Sequence, residues 1–289
     1  MLVVKRGVKL EAYKLFEKIY SEWKRNPHLH FEVPHPVTYT ASEETLRRTR
    51  VKGKAVLVVY FLMPEQLSEI MYGIKPSVYV EKSAEFLAWL HTLGKAPNYM
   101  NVRELQHRHV TRMQTITESC LESHIISEDT ACNIESEIKR ISEIEDWGPT
   151  SIIHGDFNTR NILINRRNLA IIDFELTRHD YSYIDLARFV YNIKLRSNKY
   201  LPANENRLDF LASVFLKKYE KLHGNIDQRA LVTCYFIELL EQLKTILDST
   251  SMEISGLKGS ISNSLIKRNL NYIVKQISHL RKKRKCLQN

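Results

Sequence analysis

Apolar positions follow two regimes along the chain, and the change falls near residue 63. Before it, short strand-like stretches flank one amphipathic segment. Val3-Val4-Lys5 reads as the end of a strand, and between residues 9 and 24 Leu10, Tyr13, Phe16, Ile19, Tyr20 and Trp23 recur at helical spacing. Asn26-Pro27 ends that helix, because proline disfavours helical geometry in the residue before it. Residues 37–40 and 55–62 predict further strands, separated by a turn rich in Arg and Lys. Met63-Pro64-Glu65 breaks the pattern and reads as a linker between two lobes, 1–63 and 64–289.

Beyond it the spacing is helical. Residues 77–93 carry Val80, Ala84, Leu87, Ala88, Leu90 and His91 on one side, and helices are also predicted over 129–146, 184–193, 206–222, 227–247 and 262–284. Residues 151–174 interrupt the helices with a strand–turn–strand unit whose turn is Asn165-Arg166-Arg167-Asn168. Strands early and helices late predict an α+β protein with two lobes.

Hydrophobic content of 43% and charged content of 26% are those of an ordinary soluble protein. The longest apolar run, residues 55–63, falls short of the roughly 20 residues that cross a bilayer. The first residues lack the apolar core of a signal peptide. Cys120, Cys132, Cys234 and Cys286 are scattered, with neither metal-ligand nor disulfide-framework spacing, so a reducing, cytoplasmic setting is expected. Part of the net charge of +10 lies in Arg281-Lys282-Lys283-Arg284-Lys285. That run suits nucleic acid, an anionic membrane or a solvated helix end, and the absence of interleaved aromatic residues favours the last.

Two motifs carry the chemistry: His154-Gly155-Asp156-Phe157-Asn158-Thr159-Arg160-Asn161 and Ile171-Ile172-Asp173-Phe174-Glu175. Asp156 precedes the first strand of the strand–turn–strand unit, Asn161 opens it and Asp173 closes the second strand. Each alone suits a turn. Together they supply one carboxylate to accept a hydroxyl proton and two oxygen ligands for Mg²⁺, the needs of phosphoryl transfer. His154 is read as a brace for the loop backbone and Asp185 as a tie for the same loop. Asn158 and Arg160 stand close enough in sequence to approach a transferred phosphate.

His154-Gly155-Asp156-x4-Asn161-Ile162-Leu163 with Ile172-Asp173-Phe174-Glu175 resembles the aminoglycoside phosphotransferase/choline kinase family, which has a protein-kinase-like fold. Asp185-Leu186-Ala187-Arg188, Ala88-Trp89-Leu90-His91 and residues 56–62 resemble further family segments. The resemblance implies an ATP- and Mg²⁺-dependent kinase acting on a small-molecule hydroxyl acceptor. By it, Asp156 is the catalytic base, Asn161 and Asp173 are the metal ligands, and backbone groups at Tyr60, Phe61 and Leu62 bind adenine. Lys5 contacts the α- and β-phosphates, and Glu11 on the following helix is its acidic partner. Asp209, Glu238 and Glu241 are candidates to line a cationic acceptor's pocket, with exposed helix surface as their plainer reading.

The family begins with two strands and a phosphate-covering, glycine-rich loop, whereas four residues precede Lys5 here and Gly7 is isolated. An upstream start, a natural short form with a truncated first lobe, and a nucleotide-binding pseudokinase or regulatory protein with a basic tail are the three readings of that departure. Asp173-Phe174-Glu175 in place of Asp-Phe-Gly, with no Ala-Pro-Glu after it, argues against a protein kinase.

Overall fold

The computed structural model describes residues 2–56, 59–94, 101–165, 167–200, 205–254, 270–271 and 273–277. The chain forms two compact units, residues 1–97 with 149–226 and residues 98–148 with 227–289.

The first unit opens with β1 (Leu2–Lys5), α1 (Leu10–Arg25), β2 (Phe31–Glu32), β3 (Pro36–Thr40) and β4 (Thr45–Thr49). Strands β1, β4 and β3 form an antiparallel sheet with β4 in the centre. Val3 pairs with Arg48 and Lys5 with Leu46, and directly opposed residues share a face, so Lys5 and Arg48 project from the same side. Helix α1 buries Ala12, Leu15, Phe16 and Ile19, whereas Leu10 is 46% exposed. The expected apolar stripe is thus rotated toward Ala12 and Leu15. Lys24 and Arg25 in the last turn complement the helix dipole. The Phe16 ring stacks on Phe174 at 4.8 Å, which seats α1 on the segment after Asp173.

The expected strand over 55–62 is corrected. Only Lys54–Ala55 forms a strand, β5, and Val59–Leu62 is a short helix, α2. An unbroken apolar run does not alternate, so it cannot distinguish a strand from a buried helical turn. Packing decides: the fully buried Tyr60 ring meets Tyr72 at 4.9 Å and Tyr79 at 5.6 Å. Pro64 caps the next helix, α3 (Glu65–Tyr72), and Gly73, at φ 81°, ends it. Helix α4 (Pro76–Thr92) starts on a proline and buries Val80, Ala84, Leu87, Ala88, Leu90 and His91, as their spacing predicts.

The chain enters the second unit with α5 (Val102–Glu122) and α6 (Glu128–Ser142). It returns to the first with β6 (Thr150–Ile153), β7 (Ile162–Asn165), β8 (Asn168–Ile171), β9 (Arg178–Tyr181), α7 (Tyr183–Tyr200) and α8 (Glu205–His223), and α9 (Gln228–Ile254) belongs again to the second. Strands β7 and β8 form the expected hairpin, with Ile162 opposite Ile171. Parallel β2 and antiparallel β5 complete a sheet in the order β2-β8-β7-β5, and β6 pairs with β9. Gly53 is required where the chain enters β5, since a Cβ there would lie 2.6 Å from that of Leu163.

In the second unit Asn101 caps α5, Ser127 caps α6, and Trp147 is fully buried with its indole N–H on the Ile141 carbonyl at 3.2 Å. Arg112 on α5 grips Glu241 on α9 at 3.0 and 3.2 Å. Helix α5 does not stand out in the sequence pattern, because Arg103, His107, Arg108 and Arg112 interrupt its buried row of Leu105, His109, Met113, Ile116 and Cys120. The basic run 281–285 lies outside the described residues, as does most of the helix expected over 262–284. Among the described residues no helix is long and apolar enough to cross a membrane.

Phe16→Ala removes a fully buried ring from the junction of α1 and the Asp173 segment. It is expected to cost about 3–5 kcal/mol of stability, read as a lower urea midpoint at unchanged m-value.

Candidate active site

Strand β6 ends at Ile153, and residues 154–161 loop from it to β7. A buried anion holds this loop. Asp185, in the first turn of α7, accepts the backbone N–H of His154 at 2.7 Å and of Gly155 at 3.0 Å. His91 Nε2 approaches the same carboxylate at 3.4 Å, and His91 Nδ1 meets the Tyr219 hydroxyl at 2.8 Å. Burial opposes ionisation of Asp185, but the hydrogen bond and field of His91, joined by His154, hold its carboxyl below the ordinary carboxylate range. Asp185 is therefore the loop's tie, as its sequence position implies.

Gly155 has φ +80°, and a Cβ there would lie 2.2 Å from the Leu176 carbonyl oxygen. Only glycine fits. His154 acts as the expected brace: its Nε2 meets the Ile172 carbonyl at 2.9 Å and its Nδ1 accepts the Asp156 N–H at 3.3 Å. In that arrangement Nε2 is the nitrogen that donates to the Ile172 carbonyl. Phe157 anchors the loop between Phe86, at 5.6 Å, and Phe189, at 5.3 Å.

The loop fixes the Asp156 carboxylate from both sides. Oδ1 accepts Asn158 Nδ2 at 2.9 Å and Oδ2 accepts Asn161 Nδ2 at 2.8 Å, while the side chain stays 35% exposed. Asn158, open in the sequence reading, is a buried brace of Asp156, and Arg160 is exposed with no ion pair among the described residues. Asn161 is buried and gives Nδ2 to Asp156, which leaves Oδ1 as its remaining donor oxygen. Its carbonyl accepts the Ile172 N–H at 2.9 Å, so β7 brings Asn161 beside the residue preceding Asp173.

Asp173 lies in the left-handed region at φ 66°, ψ 57°, a conformation that costs a non-glycine residue about 1–3 kcal/mol and concentrates at functional sites. Its Oδ1 meets Lys5 Nζ at 3.0 Å and Arg48 Nη2 at 2.9 Å. Glu175 follows at 3.8 Å from Lys5 and 3.7 Å from Arg48.

The expected Lys5–Glu11 pair is corrected by these contacts. Lys5 projects from the sheet face toward Asp173 and Glu175, while Glu11 sits exposed in the first turn of α1 with no ion pair among the described residues. Glu22, on a similar face, pairs with Arg25 at 2.7 Å. Tyr60, Phe61 and Leu62 lie in helix α2, and the carbonyls of Tyr60 and Phe61 accept Ser68 Oγ at 3.1 Å and Arg207 Nε at 2.7 Å. They do not offer the extended edge expected of them. Asp209 pairs with Lys194, Glu238 is buried and accepts Gln242 at 2.7 Å, and Glu241 is held by Arg112.

Two site residues escape the sequence reading. Arg188 stands one turn beyond Asp185 on α7, where its Nη1 donates to the Gly155 carbonyl and lies 3.4 Å from Asp156 Oδ1. Its spacing from Asp185 was the available signal. Arg48 lies in the stretch read as a charged turn, which is instead β4, where it faces inward with Leu46 while Arg47 is exposed.

Among the described residues no three His, Cys, Asp or Glu side chains converge as a metal cluster. The donors present are the Asn161 carboxamide oxygen and the Asp173 carboxylate, both hard oxygens of the kind that hold Mg²⁺ beside substrate phosphates. That donor set fits.

Asp185→Asn keeps the shape but withdraws the anion from two buried N–H groups. It is expected to cost about 1.5–3 kcal/mol at neutral pH. Because the folded carboxyl is depressed, its contribution is complete above the ordinary carboxylate range and is lost as pH falls below it. Urea unfolding between pH 7 and pH 3 should therefore lose less stability on acidification in the variant than in the wild type.

The model of the phosphotransferase enzyme family APH matches residues 7–209. No curated protein matches the chain. Among solved structures, a glucosamine kinase in complex with glucosamine, ADP and inorganic phosphate superposes with a TM-score of 0.67 at 12% identity, covering 99% of this chain and 78% of that one. A putative aminoglycoside phosphotransferase from Ralstonia eutropha gives 0.63 at 16% identity, covering 97% and 86%. A choline/ethanolamine kinase family protein from Mesorhizobium loti gives 0.58 at 10% identity, covering 96% and 82%. At such identities the likeness is one of fold, an α+β protein-kinase-like fold with a helical C-terminal part. With the family model spanning residues 7–209 of 289, the chain belongs to the phosphotransferase enzyme family.

Proposed function

We propose that the protein transfers the γ-phosphate of ATP, with Mg²⁺, to a hydroxyl of a small molecule such as a sugar, an amino alcohol or an aminoglycoside-like compound. The observation that carries this reading is the double clamp on Asp156: Asn158 and Asn161 each donate to one carboxylate oxygen, on a loop pinned by Asp185. An acceptor hydroxyl entering from the exposed side meets an oxygen already oriented, and each oxygen keeps lone-pair capacity for it. Asp156 takes the hydroxyl proton as the acceptor oxygen bonds to the γ-phosphorus and the bond to the β-phosphate oxygen breaks, releasing ADP. Asn161 Oδ1 and Asp173 would hold Mg²⁺, which when bound neutralises charge on the phosphate oxygens. Lys5, with its side chain 35% exposed, is placed to exchange Asp173 for a phosphate.

The solved glucosamine kinase complex, which contains ADP and a small amino sugar, supports nucleotide use and a small hydroxylated acceptor. The engagement of Asp209, Glu238 and Glu241 within the chain gives no support to a polycationic acceptor.

ADP release measured over a panel of sugars, amino sugars and amino alcohols tests the assignment. Asp156→Ala should lower turnover on the responsive acceptor by about 10²–10⁴-fold while ADP still binds by calorimetry. Wild-type ADP binding without transfer to any acceptor would favour the pseudokinase reading instead.

A further inference from the structure

Arg48 takes no part in the reaction as assigned, yet it is the most buried cation at the site. Its side chain is 5% exposed, against 35% for Lys5 and 15% for Arg188. Nη2 donates to Asp173 Oδ1 at 2.9 Å, whereas Nε lies 3.7 Å from Glu175 Oε1, beyond hydrogen-bond length. Both Arg48 Nε and Glu175 Oε1 are buried without a hydrogen-bond partner. An arginine so deep in a protein needs its charge answered. Here it is answered by Asp173, the residue assigned to the metal, and Lys5 shares the same oxygen.

Arg48 and Lys5 therefore balance Asp173 and Glu175, two cations against two carboxylates. A divalent cation arriving alone would take this cluster from neutral to two positive charges beside the buried Arg48. One arriving with a polyphosphate brings its own negative charge and offers Lys5 another acceptor. We propose that Arg48 is a positioning residue that makes metal binding conditional on nucleotide: with Lys5 it occupies Asp173 Oδ1 until a polyphosphate draws Lys5 away. This inference rests on the nucleotide-dependent reading of the same site.

The test follows Mn²⁺ binding to the full chain by electron paramagnetic resonance of the free ion, with and without ADP. Wild type is expected to bind Mn²⁺ weakly alone and on the order of tenfold or more tightly with ADP. R48Q keeps a hydrogen-bond donor but removes the charge, and should bind Mn²⁺ without ADP about tenfold more tightly than wild type. R48K should behave as wild type, and adding D173N to R48Q should abolish the gain. An R48Q affinity no tighter than wild type, or a wild-type affinity that ADP leaves unchanged, overturns the proposal. If R48Q does not fold by circular dichroism, K5Q takes its place with the same tightening expected. Calorimetric ADP binding separates the two levels. ADP binding with a metal affinity indifferent to these charges overturns the role of Arg48 alone; no ADP binding removes the kinase reading and this inference with it.

Discussion

Asp185 ionises where no water reaches it because two backbone N–H groups point at its oxygens and His91 meets it from α4. The rest of the site depends on that arrangement. To present successive N–H groups to one carboxylate, the chain must turn at Gly155 with a positive φ, in a space where a Cβ would strike the Leu176 carbonyl. The turn throws Asp156 outward while Phe157 drops between Phe86 and Phe189, so one residue is part-exposed and the next is core. Arg188, from the helix that carries Asp185, closes the loop by donating to the Gly155 carbonyl. A loop with so many polar backbone groups would be costly to bury unpaired, and Asp185, His154, Asn158 and Asn161 supply the partners.

Asp173 is governed by a second balance. Its backbone is strained, and its side chain carries two cations from the three-stranded sheet. The stacked Phe16 and Phe174 rings and the His154 ring, 4.8 Å from Phe174, fix the following residue in the core. The strained conformation is held because the residue after it cannot move without opening apolar contacts. Sheet, α1 and the segment around Asp173 are thus mechanically joined, and a change in charge at Asp173 is felt at Lys5 and Arg48 directly.

The clustering of the 154–161 loop could be read from sequence because its contacts are local: Asp156, Asn158 and Asn161 contact one another within six residues, and the β7–β8 hairpin fixes Asp173 by strand register. Helix α4 was equally readable, since its buried row follows helical spacing. What failed was non-local or lacked periodicity. The partner of Lys5 was sought on the next helix and lies some 170 positions away, a contact that follows from the side of the sheet Lys5 faces. The run 55–62 carried hydrophobicity without alternation, so nothing local chose helix over strand. Arg48 was missed for a related reason: beside Arg47 it reads as surface charge, and only the register with Val3 and Lys5 turns it inward.

That inward arginine bears on how the two carboxylates beside it are held. Left uncompensated, the Asp173 and Glu175 carboxylates would repel one another across the face that Lys5 and Arg48 neutralise. Free divalent ions would also relieve that repulsion. Covalently tethered cations relieve it without blocking exchange, because Lys5 retains exposure and can trade one anion for another. Arg48, buried and unable to leave, sets the floor of that exchange: it keeps one positive charge on the sheet side whatever arrives. With Oδ1 held on the sheet side by both cations, the Oδ2 atom of the same carboxylate is the oxygen left for a further cation.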